Sequence, residues 1–411
     1  MTTLILAIIL TISVFFFLLE RILDFLNLKN LKAELPEELQ GIYDAEKYTK
    51  SQQYERESSR FGFYSSTYSF LLTLLMLIFG GFGIFYDWIV LISTNLVLET
   101  LSFFALLLLI SEILTFPFSY YSIFVIEEKY GFNKMNLKTF LLDKLKNLLV
   151  SGILGGLILA VIVWFYTLTQ HNFWIYAWLI MTLFTVFMMM FYSSLIVPIF
   201  NKQTPLEAGE LRSKIEEFSK IVNFKIENIF VIDGSKRSSK ANAYFSGLGN
   251  KKRIVLYDTL INDLDTNELL AVLAHEVGHY KKKHTLWALL ISYVQTGFTL
   301  YILSLFISIP ELSYALGSQN QSFALGFLAF GILFTPIETI LGFFMNIISR
   351  KNEYQADAFA KQHNLGEFLI SGLKKLSVNN LSNLTPHPAV VFMHYSHPTL
   401  LQRIKAIKND D

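Results

Sequence analysis

His275 and His279 stand four residues apart, with Glu276 beside the first, in Ala274-His275-Glu276-Val277-Gly278-His279-Tyr280. At 3.6 residues per helical turn, that spacing brings both imidazoles to one face. Two imidazoles on one face can hold a single Zn²⁺, with Glu276 placed as general base. By chance the pattern is expected in roughly one such chain in a hundred, so it needs company. A catalytic zinc takes three protein ligands. The third is expected at Glu353, in Asn352-Glu353-Tyr354-Gln355-Ala356-Asp357. Asp357 follows one helical turn later, placed to accept the second imidazole proton of a zinc-bound histidine and so fix its tautomer. The bland alternatives are two ordinary histidines and a surface carboxylate.

The chemistry such a set performs is hydrolysis of a peptide bond. Zinc supplies Lewis acidity. Glu276 would take the proton of the attacking water and pass it to the leaving amine, and a further donor would steady the oxyanion. The chain has no cysteine, which removes disulfides and thiolate ligands alike and favours a catalytic over a structural site, with one zinc per chain.

What positions these residues is a membrane protein. Of 411 residues 53% are hydrophobic and only 16% charged, against about 25% charged in soluble domains. A net charge of +1 gives no support for nucleic-acid binding. The apolar opening, Leu4 to Leu19, has no basic residue before it and no small-residue cleavage site after it, so it is expected to be a retained membrane helix. Six further runs are long enough to span: about 66–90, 98–124, 147–169, 173–199, 286–309 and 322–348. Gly80-Gly81-Phe82-Gly83 should kink the second span or admit a close neighbour. Glu112 and Glu338 lie within spans, each expected to be a satisfied structural carboxylate facing the protein interior or a water-filled cavity. All 34 Lys and Arg fall in 20–65, 125–146, 200–285 and 349–411, which puts those segments in the cytoplasm, the N-terminus outside and the C-terminus inside.

Residues 1–199 thus form an N-terminal membrane region of five helices, 200–285 a cytoplasmic segment with the zinc motif, 286–348 two more helices, and 349–411 a cytoplasmic end with the third ligand. Within them, Leu206 to Val222 has helical periodicity. Ile226 to Ile232, Arg253 to Tyr257 and Asn242 to Phe245 read as strands, with turns at Asp233-Gly234-Ser235 and at Gly247/Gly249. Asp265-Thr266-Asn267-Glu268 is a capping box that starts the motif helix. Lys281-Lys282-Lys283-His284 reads as a solvated membrane-proximal turn, or one that attracts anionic lipid headgroups, and His363, His387 and His394 as surface histidines.

Several motifs together resemble the type I CAAX prenyl endopeptidases, integral-membrane zinc metalloproteases of the gluzincin type. They are Tyr130-Gly131-Phe132-Asn133, Pro198-Ile199-Phe200-Asn201-Lys202, Val231 to Ser238, Asn242-Ala243-Tyr244-Phe245, Arg253 to Leu260, the zinc helix, Ser349 to Asp357 and Tyr395-Ser396-His397-Pro398. The resemblance runs from about residue 36 to the C-terminus. It implies a mainly α fold, seven membrane helices forming a barrel around an intramembrane chamber, capped by a cytoplasmic protease domain with a small β-sheet. Glu353 then matches the third ligand. Asn242, Ala243 and Tyr244 match a strand edge that pairs with extended substrate. His397 matches a catalytic cleft histidine at substrate or oxyanion, and Arg403 a nearby substrate-binding arginine. On residue chemistry alone His397 serves equally well as a helix cap.

The implied activity is removal of the C-terminal tripeptide of prenylated CaaX proteins by a monomer in contact with membrane lipid, on a membrane-associated or lipid-modified polypeptide. About 74 residues separate His279 from Glu353, and the chain ends Lys408-Asn409-Asp410-Asp411 without a dibasic tail. Both features favour a bacterial cytoplasmic membrane, with the endoplasmic reticulum as the eukaryotic counterpart. In a bacterium the substrate would be another membrane-associated or misfolded protein. Three rivals stand beside this reading: a quality-control protease of the HtpX type, a transporter using the chamber, and a scaffold without activity. Seven spans, few charges within them and an intact Glu276 weigh against each in turn.

Overall fold

A backbone crossing hydrocarbon must satisfy its own polar groups, so long apolar runs become helices. The computed structural model describes residues 1–31, 35, 40–224, 229–247 and 253–409. Among them, six helical stretches are long and apolar enough to cross a bilayer. One, Leu137–Phe200, has 64 residues. Straight, it would reach about 96 Å, three times the roughly 30 Å hydrocarbon core. It is in fact two helices, Leu137–Thr169 and Phe173–Leu195, packed together and joined by a tight turn at Gln170–Asn172 where Gln170 has φ 49°. Taken separately these bring the crossing helices to seven, as expected.

The glycine run does both things expected of it. The helix Ala45–Ile78 ends there, Gly80 takes φ 65°, and a new helix Gly81–Val90 begins. A Cβ on Gly83 would lie 2.1 Å from the backbone of Gly317, so the two segments meet main chain to main chain. Gly83 N–H donates to Leu316 O at 2.8 Å and Ser318 Oγ–H to Asp87 at 2.6 Å. Two of the connections that lack Lys and Arg, 86–97 and 309–322, therefore meet at one end of the bundle. Glu112 is satisfied by Lys144 Nζ at 3.1 Å, as expected. Glu338 is exposed and makes no ion pair among the described residues.

At the other end, four described strands form one mixed sheet: β1 Gln203–Pro205, β2 Ile229–Ile232, β3 Ala243–Ser246 and β4 Arg253–Tyr257, in the order β1-β2-β4-β3. β2 and β4 run parallel and the outer pairs antiparallel, which leaves β3 as an edge. Residues 226–228 of the expected strand and Gly249 of the expected turn lie outside the described residues. β1 had no counterpart in the sequence reading; three residues with a proline carry too little pattern.

The motif helix, Thr266–Lys281, starts at the expected capping box. Asp265 Oδ1 accepts from Asn267 N–H at 2.9 Å and Glu268 N–H at 3.0 Å, and Glu268 returns the bond to Asp265 N–H at 2.9 Å. Leu269 and Leu273 on this helix face the sheet's Ile254 and Leu256. Ala271, Ala274 and Val277 face Phe218, Ala360, Leu369 and Ile404. It is thus buried from two sides, which leaves one face for chemistry. The long helix Phe323–Gln362 is continuous for 40 residues. It runs unbroken through the segment boundary expected at 348/349 and carries Glu353 and Asp357 well beyond the apolar span.

Candidate active site

The motif helix and the long helix approach closely because of Gly278. A Cβ there would stand 3.0 Å from Ala356 Cα and 3.0 Å from Phe359 Cβ. With no side chain in the way, Glu353 reaches both motif histidines. Its Oε2 lies 3.3 Å from His275 Nε2 and its Oε1 3.2 Å from His279 Nε2. The ligand atoms offered by His275, His279 and Glu353 all fall within 4.8 Å of one another.

The outer nitrogens of the two imidazoles are held differently. His275 Nδ1 is 2.8 Å from Asp357 Oδ1. An ionised carboxylate only accepts, so Nδ1 carries a proton, and once the ring gives up its second proton the Nε2 lone pair faces Glu353. Asp357, almost fully buried, is in turn gripped by Arg403, through Nε to Oδ2 at 2.9 Å and Nη2 to Oδ1 at 2.5 Å. Burial alone would depress the His275 pKa, but the hydrogen bond to Asp357 and the close Glu353 carboxylate outweigh that and push it up to about 9. Burial likewise works against the Arg403 charge, and the Asp357 hydrogen bonds override it and push the pKa up.

His279 Nδ1 meets instead the Nδ1 of His284 at 3.0 Å, and His284 Nε2 lies 2.8 Å from Gln355 Oε1. His284 is 6% exposed, so it is no part of a solvated turn, as the lysine run beside it had suggested. Sequence reasoning missed both His284 and Gln355. Five residues is not a helical spacing, and only the chain reversal after the motif helix brings His284 back.

These observations test the site for a metal. His275 Nε2 and His279 Nε2 face each other at 3.2 Å. Glu353 Oε2 is buried without a hydrogen-bond partner. Two ring nitrogens and a carboxylate oxygen converging in a buried spot repel one another unless a proton or a metal cation sits among them. Two imidazoles and one carboxylate, with no thiolate, are a donor set that suits Zn²⁺.

All but one of the remaining expected residues line the same cleft of about 620 Å³. Glu276 opens into it, half-buried and without a hydrogen bond among the described residues. Asn242 and Ala243, at the start of the edge strand β3, border it. Tyr244 lines a neighbouring hollow instead. His397 is mostly exposed, with Nε2 3.3 Å from Glu353 Oε1, which suits a group meeting substrate better than a cap. Arg403 lines the cleft, yet it is only 9% exposed, with two of its three nitrogens committed to Asp357 and the third 3.9 Å from Glu353 Oε2. His363 bonds to Phe359 O, His387 caps its own helix and His394 meets Glu20 at the surface, all apart from the site, as expected.

Comparison with known proteins agrees with this geometry. Residues 24–202 match the family model described as the CAAX prenyl protease N-terminal segment with five membrane helices, and residues 205–411 match peptidase family M48. The chain is 37% identical to CAAX prenyl protease 1 homolog of Arabidopsis thaliana, covering 96% of this chain and 95% of that one. It is 36% identical to CAAX prenyl protease 1 of Saccharomyces cerevisiae, covering 92% and 89%. The human homolog is 33% identical, covering 91% and 88%. The crystal structure of S. mikatae Ste24p superposes with a TM-score of 0.92 at 35% identity, covering 98% of this chain and 99% of that one. These relatives are eukaryotic, and they lend the expected bacterial membrane no support.

Proposed function

The chain belongs to peptidase family M48 and is a zinc metalloendopeptidase of multi-pass membrane form; from that premise we propose that it removes the C-terminal tripeptide of prenylated CaaX proteins. The observation that carries the reading is the convergence of His275, His279 and Glu353 in a cleft bordered by the edge of β3. The matched relatives fit this reading and not an HtpX-type protease or a transporter.

In this mechanism His275, His279 and Glu353 would hold one zinc, and Asp357, accepting from Nδ1, would keep the His275 Nε2 lone pair turned inward. Zinc, when bound, supplies Lewis acidity that polarises the scissile carbonyl and acidifies water. Glu276 takes the proton of the attacking water and delivers it to the leaving amine. His397 donates to the developing oxyanion from the open side of the cleft. Asn242, Ala243 and Tyr244 present strand-edge main chain to an extended peptide, which grips any sequence and leaves selection to the lipid-modified residue. Segments 200–285 and 349–411 make up the cytoplasmic protease, and 1–199 and 286–348 enclose the chamber. The basic-free connections then lie on the outer side and the basic ones inside.

The test is cleavage of a farnesylated C-terminal peptide by purified chain, alongside zinc content. Glu276→Ala should retain zinc and lose about 10²–10⁴-fold in turnover, the range for a general acid–base group. Normal turnover in that variant would sink the mechanism.

A further inference from the structure

We propose that His284 and Gln355 are positioning residues for the zinc site, a hydrogen-bonded pair that holds His279 in its metal-binding tautomer; this rests on the assignment of His279 as a ligand. Only one proton fits between His279 Nδ1 and His284 Nδ1, 3.0 Å apart. Were it on His284, His279 would carry its proton on Nε2, pointing at Glu353 and His275, and would have no lone pair for a metal. Gln355 excludes that arrangement. Its Oε1 accepts from His284 Nε2 at 2.8 Å, which puts the His284 proton on Nε2 and makes Nδ1 the acceptor. His279 must then donate from Nδ1, and its Nε2 lone pair is free. Every polar atom along Gln355, His284 and His279 is satisfied without a charge.

The backbone is bent to make this contact. Were the motif helix to continue, residue 284 would lie about 140° around the axis from His279, out of reach. Lys283 instead adopts φ 59°, ψ 28°, a left-handed conformation that L-residues other than Asn and Gly seldom take. The next helix starts at once, at His284, and folds the imidazole back beneath His279. Burial of His284 leaves it no alternative partner in solvent.

The test is zinc affinity of the purified full chain, measured by competition with a chromophoric chelator, with the visible spectrum of the Co²⁺-substituted protein as second readout. His284→Ala and Gln355→Leu should each weaken zinc binding about 10–100-fold, the usual effect of losing an outer partner, and alter the Co²⁺ bands. Gln355→Glu keeps the acceptor and should stay within a few-fold of the unsubstituted chain. A purely structural role would not separate Gln355→Leu from Gln355→Glu. The inference is overturned if His284→Ala and Gln355→Leu bind zinc and show Co²⁺ bands like the unsubstituted chain. It is overturned equally if Gln355→Glu loses as much as Gln355→Leu. Should His279→Ala bind zinc undiminished, the ligand assignment itself falls, which a failure confined to residues 284 and 355 would not imply.

Discussion

The two histidines of the motif sit on one helix four residues apart, yet they are supported in opposite ways. His275 is backed by a buried ion pair, Asp357 with Arg403. His279 is backed by a neutral chain, His284 with Gln355. The ionic arm is costly to break, because removing one partner strands a charge in low dielectric. The neutral arm has no charge to strand, so breaking it should reach the metal with less effect on the fold.

That contrast can be tested in order of expected effect. Asp357→Ala takes both close hydrogen bonds from buried Arg403, leaving only Glu353 Oε2 at 3.9 Å, and should cost about 3–5 kcal/mol in denaturant unfolding of the metal-free chain. Adding Arg403→Leu should restore part of the loss, and equal stability of the single and double variants would show that no stranded charge was involved. Gly278→Ala tests both arms together. A methyl 3.0 Å from Ala356 Cα forces the motif helix away from the helix bearing Glu353, Gln355 and Asp357, at about 1–3 kcal/mol, with weaker zinc binding. Unchanged zinc affinity there would mean that the close approach is not what sets the ligand distances.

The smallest effect separates the arms by pH. In the metal-free chain His275 holds a proton with a pKa raised to about 9, and the proton competes with the metal. The shift is upward, so protonation stabilises the metal-free fold fully below about 6.5, and that contribution is lost as pH rises through 9. Zinc binding at pH 7.5 should therefore release about one proton, seen as a dependence of binding heat on buffer ionisation, and affinity should climb about tenfold per pH unit until near 9. Equal release from the Asp357→Ala variant would show that the ionic arm is not what raises this pKa.

Much of the site was legible along the chain because it rests on local spacing. The separation of His275 from His279, and of Glu353 from Asp357, is one helical turn, and helices translate turns into faces. Asp265 and Glu268 announced the motif helix, and the distribution of Lys and Arg sorted the connections into two groups. His284 was misjudged because a histidine after three lysines looks solvent-facing, and burial is a property of what packs around a residue rather than of its neighbours in sequence. The strand β1 was lost for want of length, and nothing along the chain marked Gly278 as the place where a second helix approaches.

Residue type and spacing alone thus determined the donor set, the helical face it occupies and the membrane setting, since each follows from periodicity, charge or the absence of thiols. Tertiary packing decided which outer groups hold each imidazole, how near Glu353 comes and which edge strand borders the cleft. Those depend on contacts between segments far apart in sequence, on a left-handed residue at Lys283 and on a missing side chain at Gly278. No local pattern encodes where another segment will lie when the chain folds back on itself.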